Sequence, residues 1–270
     1  MNPLLLNYHD ACVYKSDLRL VESPTEWLND ACINFQMTRL QQKHSATRRA
    51  SEGGGGPLLF LDPAVVSYMM HQCDEDDLAD LGRSWGTDLQ RMVDGDHSSE
   101  DGCQLCGIWV PVNDHNAAAE LALGGGNHWS MLLVVLSRSK AGEGEKCVVN
   151  QLMHFDSHGR CNATAAQAVS SKICRAFSLH NDTNVMATPP NRVTLTHCST
   201  PQQTNGHDCG IFALGAAEAL SGLWRGEKIA AQDMENALKS FVSASGADEF
   251  AKKMRQKIGR DIRDLAAMTQ

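Results

Sequence analysis

The chain has 270 residues, 42% hydrophobic and 21% charged, enough to bury a sizeable core, and one domain over residues 1–270 is the expected organisation. Its 32 acidic against 24 basic side chains give a formal net charge of −8, which argues against nucleic acid or an anionic membrane as main partner, since both need clustered cations. No apolar stretch is long enough to span a bilayer, residues 1–6 are too short for a signal-peptide core, and ten cysteines without regular spacing fit reduced thiols, so a cytosolic or nuclear protein is expected.

Ser23-Pro24-Thr25-Glu26 joins a hydroxyl cap, proline at the first helical position and glutamate at the third. It predicts a helix over residues 24–41 with Leu28, Cys32, Phe35 and Leu40 as the buried stripe. Residues 45–57, with small and charged side chains and glycine at 53–56, read as a flexible insertion removable with little loss. Asp62-Pro63 opens a second helix reaching Met70, with Val66, Met69 and Met70 inward. The acidic stretch 74–101 reads as a short helix around 78–89 followed by loop.

Residues 107–111 form a short apolar strand and 113–127 an Ala- and Gly-rich loop. Residues 129–136 are a continuous apolar run, the pattern of a strand buried on both faces. A turn over 137–146 leads to a strand at 147–155. A helix over 163–179 follows, spaced on Ala166, Val169, Ile173 and Phe177, then a β-branched strand at 193–198 and a small-residue helix over 210–223. Helices, then strands, then helices give an α+β class, with no glycine fingerprint for a dinucleotide or phosphate.

Four positions carry the chemistry of a cysteine hydrolase: His128 at the mouth of a strand, Asp156 at the end of the next, Gln203 in a polar loop, and Cys209 at the start of a helix. A free thiol with a pKa of about 8.5 is mostly protonated at neutral pH and needs an imidazole or a helix N-terminus beside it; Cys209 is placed for both. Asp156 precedes Ser157-His158-Gly159, a turn expected to expose its carboxylate so that it can orient His128. Gln203 offers a neutral side-chain donor, and the Cys209 amide a second, for an oxyanion. Gly206 and Gly210 are expected to let the chain turn sharply around the thiol. Singly, a His before a strand, an Asp at its end and a Cys before an apolar helix are more often structural; their order and neighbours change the weighting.

Ser16-Asp17-Leu18, Trp27-Leu28-Asn29-Asp30, Gly125-Gly126-Asn127-His128-Trp129-Ser130, His154-Phe155-Asp156-Ser157 and the run from Gln202 to Gly210 resemble the sentrin/SUMO-specific (ubiquitin-like-protein) protease family, over residues 16–225 and in that family's order. The resemblance is strongest to its deneddylase branch. It implies a papain-like α+β fold with a central mixed sheet, a catalytic triad of His128, Asp156 and Cys209, and Gln203 at the oxyanion hole. It further implies that Trp27 and Trp129 roof a channel that only the modifier's Gly-Gly terminus can thread, that Asp30 faces the modifier, and that Asn113 begins a loop closing over it. The implied partner is a Nedd/Rub-type modifier and its conjugates such as cullins. The Gly-rich insertion, residues 74–101 and the Ala-rich loop depart from the family pattern.

Cys103-x-x-Cys106, with His97 and His115 nearby, has half of a zinc spacing, but no second pair follows to close four ligands, so neither metal nor cofactor is expected. The rival readings are a SUMO-specific protease, a non-catalytic modifier-binding protein, and an acetyltransferase on the same fold. The last would need a basic cluster for an acyl-CoA phosphate, and none is visible.

Overall fold

The computed structural model describes residues 2–50, 56–93, 103–116, 128–141, 144–180, 193–227, 230–243 and 245–269. The glycines at 53–55, His97, and residues 117–127 of the Ala- and Gly-rich loop lie outside the described residues.

The chain opens with an antiparallel hairpin, β1 (Leu4–Tyr8) and β2 (Ala11–Tyr14). Its two-residue turn places His9 and Asp10 at φ 47° and 70°, the primed-turn geometry that matches strand twist. α1 (Lys15–Glu22) follows, and α2 (Asp30–Ala50) begins only after seven irregular residues, which corrects the helix expected over 24–41. Ser23 ends α1, its N–H donating to Arg19 O at 2.9 Å. Asn29 caps α2 instead: its Oδ1 accepts from Cys32 N at 3.1 Å, and its Nδ2 donates to Oδ1 of buried Asp17 at 2.9 Å. A cap is worth about 1 kcal/mol, and one held by a buried carboxylate prevails over the Ser-Pro signal.

Next come β3 (Leu58–Phe60), α3 (Pro63–His71), α4 (Glu75–Val93), β4 (Cys103–Asn113), a 3-10 turn at Asp114–Asn116, β5 (Trp129–Ala141), β6 (Gly144–Phe155), α5 (Ala163–His180) and β7 (Leu195–Cys198). α6 (Cys209–Ser221), α7 (Ala231–Ser243) and α8 (Ala247–Met268) complete the chain. The sheet order is β3-β4-β5-β6-β7, antiparallel through its centre and parallel at both outer pairs. Where a turn was expected over 137–146, β5 continues to Ala141 and β6 starts at Gly144. α4 likewise exceeds the expected 78–89.

The continuous apolar run is explained by burial on both faces. Trp129, Met131, Leu133 and Val135 join a core with α2, α6, α7 and α8, while Leu132, Val134 and Leu136 join a second with α3, α4 and α5. A bulge keeps β6 in step: Val135 pairs with Gln151 but Leu136 with Val149, so Asn150 is the extra residue and Val149 shares a face with Leu152. Cys103 and Cys106 lie three positions apart on β4.

Of the expected insertion at 45–57, residues 51–55 lie outside the described residues. Residues up to Ala50 are helical, and Gly56 and Pro57 are buried. Pro57 O accepts from Gly107 N at 2.9 Å, and His44 Nε2 lies 3.1 Å from Gly56 O. Gly56 meets Gly226 backbone to backbone: a Cβ built on either would fall 2.3 or 2.7 Å from the other's Cα.

Candidate active site

The site lies where the N-terminus of α6 meets the ends of β5 and β6. Cys209 is the first residue of α6, a helix buried nearly all round, and its thiol-bearing side chain is buried too. Asp208 stands at the N-cap, a position where Asp ordinarily accepts from helix amides, yet it makes no such bond. Its Oδ1 accepts instead from Arg255 Nε and Nη2 at 2.9 and 2.7 Å, and its Oδ2 from Asn205 Nδ2 at 2.8 Å. The Asp208 carboxylate is therefore turned away from the first amides of α6, and the positive end of the helix is directed at the thiol region.

His128 stands one residue before β5. Its Nε2 lies 2.7 Å from Asp156 Oδ1, which leaves Nδ1 for the Cys209 sulfur. Burial alone would lower the imidazole, but the hydrogen bond to Asp156 and then the contact with Cys209 reverse this, raising it to about 9. Asp156 differs from expectation, because the turn does not expose its carboxylate: the residue is 3% exposed. Burial pushes the carboxyl up, but His128 and the N–H groups of Asn162 and His158 prevail and hold it below the usual range. Those amides donate at 3.0 Å to Oδ2 and 2.9 Å to Oδ1. Gly159, at φ 66°, lets the turn fold back over the carboxylate.

Gln203 belongs to a loop stitched to the Asp156 turn. Its Oε1 accepts from Ser157 Oγ at 2.7 Å, its N donates to Ser157 O at 2.9 Å, and its Nε2 donates to Asn205 O at 2.6 Å. Gln202 adds a bond from Nε2 to Asp156 O at 3.2 Å. Gly206 and Gly210 are not at positive φ, so the expected turning role is not theirs. Gly210 matters through space, since an added Cβ would sit 3.2 Å from Leu28 and 3.3 Å from Ile33.

Trp27 is 47% exposed, and its Nε1 donates to Gly206 O at 2.7 Å, so its ring stands over the loop before Cys209. Trp129 is only 5% exposed, and its Nε1 donates to Leu28 O at 3.0 Å, pinning the Trp27 segment from below. Asp30 is exposed at the start of α2. Asn113 is largely buried, its Oδ1 accepting from His115 N at 3.0 Å, so its side chain shapes the turn after β4.

Residues 26–241 match the model described as the Ulp1 protease family, C-terminal catalytic domain. The chain belongs to that family. Among curated relatives it is similar to the probable sentrin-specific protease 8 of Dictyostelium discoideum, 26% identical over 81% of this chain and 75% of that one. It is similar also to the NEDD8-specific protease 1 of Arabidopsis thaliana, 27% identical over 80% of this chain and 74% of that one. Among solved structures, a C-terminal Ulp1 protease domain in complex with Smt3, the yeast ortholog of SUMO, superposes with a TM-score of 0.52, 18% identity, 98% of this chain and 89% of the other. That likeness speaks to the fold, and agrees with the central mixed sheet and flanking helices.

As a Ulp1-family member the chain is a cysteine-type protease. The structure brings His128, Asp156 and Cys209 together and hangs Gln203 beside them. The motif reading missed the residues that hold them there. Asn162 is the main one: it is 1% exposed, and its Nδ2 reaches His128 O at 3.0 Å, Val112 O at 3.2 Å and Ser130 Oγ at 3.0 Å. Its position directly before the helix expected at 163 suggests a cap, but its Nδ2 turns to the strand ends instead, a role that position does not signal. Ser157, Asn205 and Asp208 lie within the quoted strings but their holding roles do not show there, and Arg255 lies outside every string, because their partners are distant in sequence or in loops.

Proposed function

We propose that this chain is a thiol isopeptidase and processing peptidase that cleaves after the C-terminal Gly-Gly of a ubiquitin-like modifier of Nedd/Rub type, removing it from conjugates such as cullins in the cytosol or nucleus. The reading rests above all on one observation: a single imidazole is held between a buried carboxylate and the sulfur at a helix N-terminus, and is raised to about 9. At neutral pH such a ring carries its proton, so a cation stands beside the sulfur with the N-terminus of α6 behind it, the setting a cysteine nucleophile needs.

The thiolate adds to the carbonyl carbon of the modifier's last glycine. The oxyanion is received by the Cys209 amide and by the Gln203 Nε2 hydrogen not given to Asn205. His128 passes its proton to the departing amine, leaving a thioester. His128 then takes a proton from water as the hydroxyl oxygen adds, and collapse frees the modifier's carboxyl and the thiol. Asp156 keeps the ring oriented throughout. Trp27 supplies the exposed indole wall of the glycine slot, Trp129 supports it through Leu28, Asp30 offers an anionic contact to the modifier, and Asn113 sets the turn from which the covering loop leaves. Two names support the modifier choice: the relatives with sequence similarity are a sentrin-specific protease 8 and a NEDD8-specific protease.

A panel of Nedd-type, SUMO-type and ubiquitin C-terminal fluorogenic reporters tests the reading. The Nedd-type reporter should turn over fastest, and faster hydrolysis of the SUMO-type reporter would overturn the modifier choice. Cys209→Ala should abolish turnover and retain modifier binding; residual turnover would reject Cys209 as the nucleophile.

A further inference from the structure

Of the residues around the site, Arg255 makes the most contacts the motifs do not account for. It lies on α8, beyond the last residue, 241, that the family model matches. The side chain is almost fully buried, and a guanidinium has five N–H donors in a fixed plane. Nε and Nη2 both donate to Asp208 Oδ1, at 2.9 and 2.7 Å. Nη2 also donates to Glu26 O at 2.7 Å, and Nη1 reaches Leu20 O at 3.0 Å and Val21 O at 3.5 Å. Glu26 immediately precedes Trp27, and Asp208 immediately precedes Cys209. One planar group thus binds the residue before the indole and the residue before the thiol. On the front of the site, Trp27 Nε1 to Gly206 O closes the same gap.

We propose that Arg255 is a positioning residue that sets the spacing between the Trp27 segment and the Cys209 thiol, and through it the fit of the glycine slot. The inference rests on the roles given above to Cys209 and Trp27. A residue that served only to hold α8 in place would be expected to bond to one neighbouring element; Arg255 spans α1, the Trp27 segment and the nucleophile loop. α8 is a firm base for it, since Phe250, Met254, Ile258 and Ile262 are in the core and Asp248 and Lys257 bond Thr204 and Glu218. Lysine keeps the charge opposite Asp208 but is a point donor on a flexible stem, unable to hold the carboxylate and the Glu26 carbonyl in one plane.

The split between two reactions isolates the effect. Alkylation of Cys209 by iodoacetamide, followed by mass spectrometry of its peptide, needs the thiol alone; hydrolysis of a Nedd-type reporter needs thiol and slot together. In the full chain, Arg255→Lys should lower reporter kcat/KM at least tenfold and leave the Cys209 alkylation rate within threefold. In a Trp27→Phe background, which removes the indole N–H bond to Gly206, the same Arg255→Lys change should cost less than threefold. Equal losses in both reactions, or the full tenfold loss repeated in the Trp27→Phe background, would reduce Arg255 to a fold-stabilising residue and overturn the proposal. If Arg255→Lys does not fold at the assay temperature, Asp208→Asn carries the same pair of measurements, with the same split expected and equal losses again fatal. A wild-type chain whose Cys209 alkylates but which hydrolyses none of the reporters would instead sink the functional reading, and the proposal with it.

Discussion

Replacing Asn162 by Ala tests how the triad is held. The residue's own N–H to Asp156 Oδ2 survives the change, so only the side-chain bonds to Val112 O, His128 O and Ser130 Oγ are lost. Nδ2 has two hydrogens to share among these three acceptors, so at about 1 kcal/mol per donor the set contributes roughly 2 kcal/mol, and leaving buried acceptors unpaired adds about 1 kcal/mol. His128 O keeps the Asp114 N–H at 3.1 Å, which brings the expectation to about 2–3 kcal/mol. That is a large part of a typical domain stability of about 5–15 kcal/mol but leaves the chain folded. The catalytic effect should exceed the structural one, because releasing the His128 carbonyl lets the imidazole drift, and a misplacement of about 1 Å costs about 100-fold in rate. Urea unfolding and reporter kinetics on one preparation measure both: a stability loss of about 2–3 kcal/mol, with kcat lowered about 10- to 100-fold and KM little moved. Asn162→Asp, close in shape but without the donor and facing Asp156, should be no better than Ala. A near-wild-type Asp variant, or an Ala variant with kcat within twofold and stability within about 0.5 kcal/mol, would refute the reasoning.

The remaining expectations concern pH and backbone. With His128 raised to about 9, its folded pKa lies above the unfolded value of about 6.5, so its contribution to stability is fully present below about 6.5 and is lost as pH rises through 9. Reporter kcat/KM should fall over the same upper range, and in Asp156→Asn, which removes the strongest raising interaction, the alkaline limb should move to lower pH; an unmoved limb would assign it to another group. Gly226→Ala should cost more than about 2 kcal/mol in a thermal melt, because φ is 78° and the new Cβ would meet Gly56 backbone at 2.7 Å. Gly159→Ala, at φ 66° with open space around it, should cost about 1 kcal/mol, and similar losses for the two would show that contact with Gly56 is unimportant.

What the sequence disclosed followed from how local each signal was. The run at 129–136 could be read as a doubly buried strand because its apolar character is continuous, and Asp62-Pro63 marked α3 correctly because Asp62 Oδ1 accepts from Ala64 N at 2.7 Å. Ser23-Pro24 carried the same kind of signal and misled, because the deciding partner of Asn29 is Asp17, twelve residues back. The spacing Phe250, Met254, Ile258, Ile262 and Ala266 is a plain helical stripe that the motif reading, ending near residue 225, did not reach. Within the site, the reacting groups were legible by residue type. That Asp156 would be buried was not, because its burial is decided by Asn162 and His158 amides folding back over it.

The acidic composition hides a division of labour that bears on why the motifs contain the residues they do. Among the described residues, three acidic side chains are buried: Asp17, Asp156 and Asp208. Each lies in one of the strings that carried the family resemblance, and each is tied to a different moving part of the proposed reaction. Asp17 fixes Asn29 and so the start of α2 below Trp27; Asp156 fixes His128; Asp208 is bonded to Arg255 next to Cys209. A buried carboxylate left without its partner costs several kcal/mol, so each resists displacement of the backbone to which it is bonded. Ser16-Asp17-Leu18, Phe155-Asp156-Ser157 and Asp208-Cys209 are therefore better understood as anchors beside reacting or gating groups than as contact residues themselves. This explains how a chain of net charge −8 places its most consequential carboxylates where solvent does not reach them.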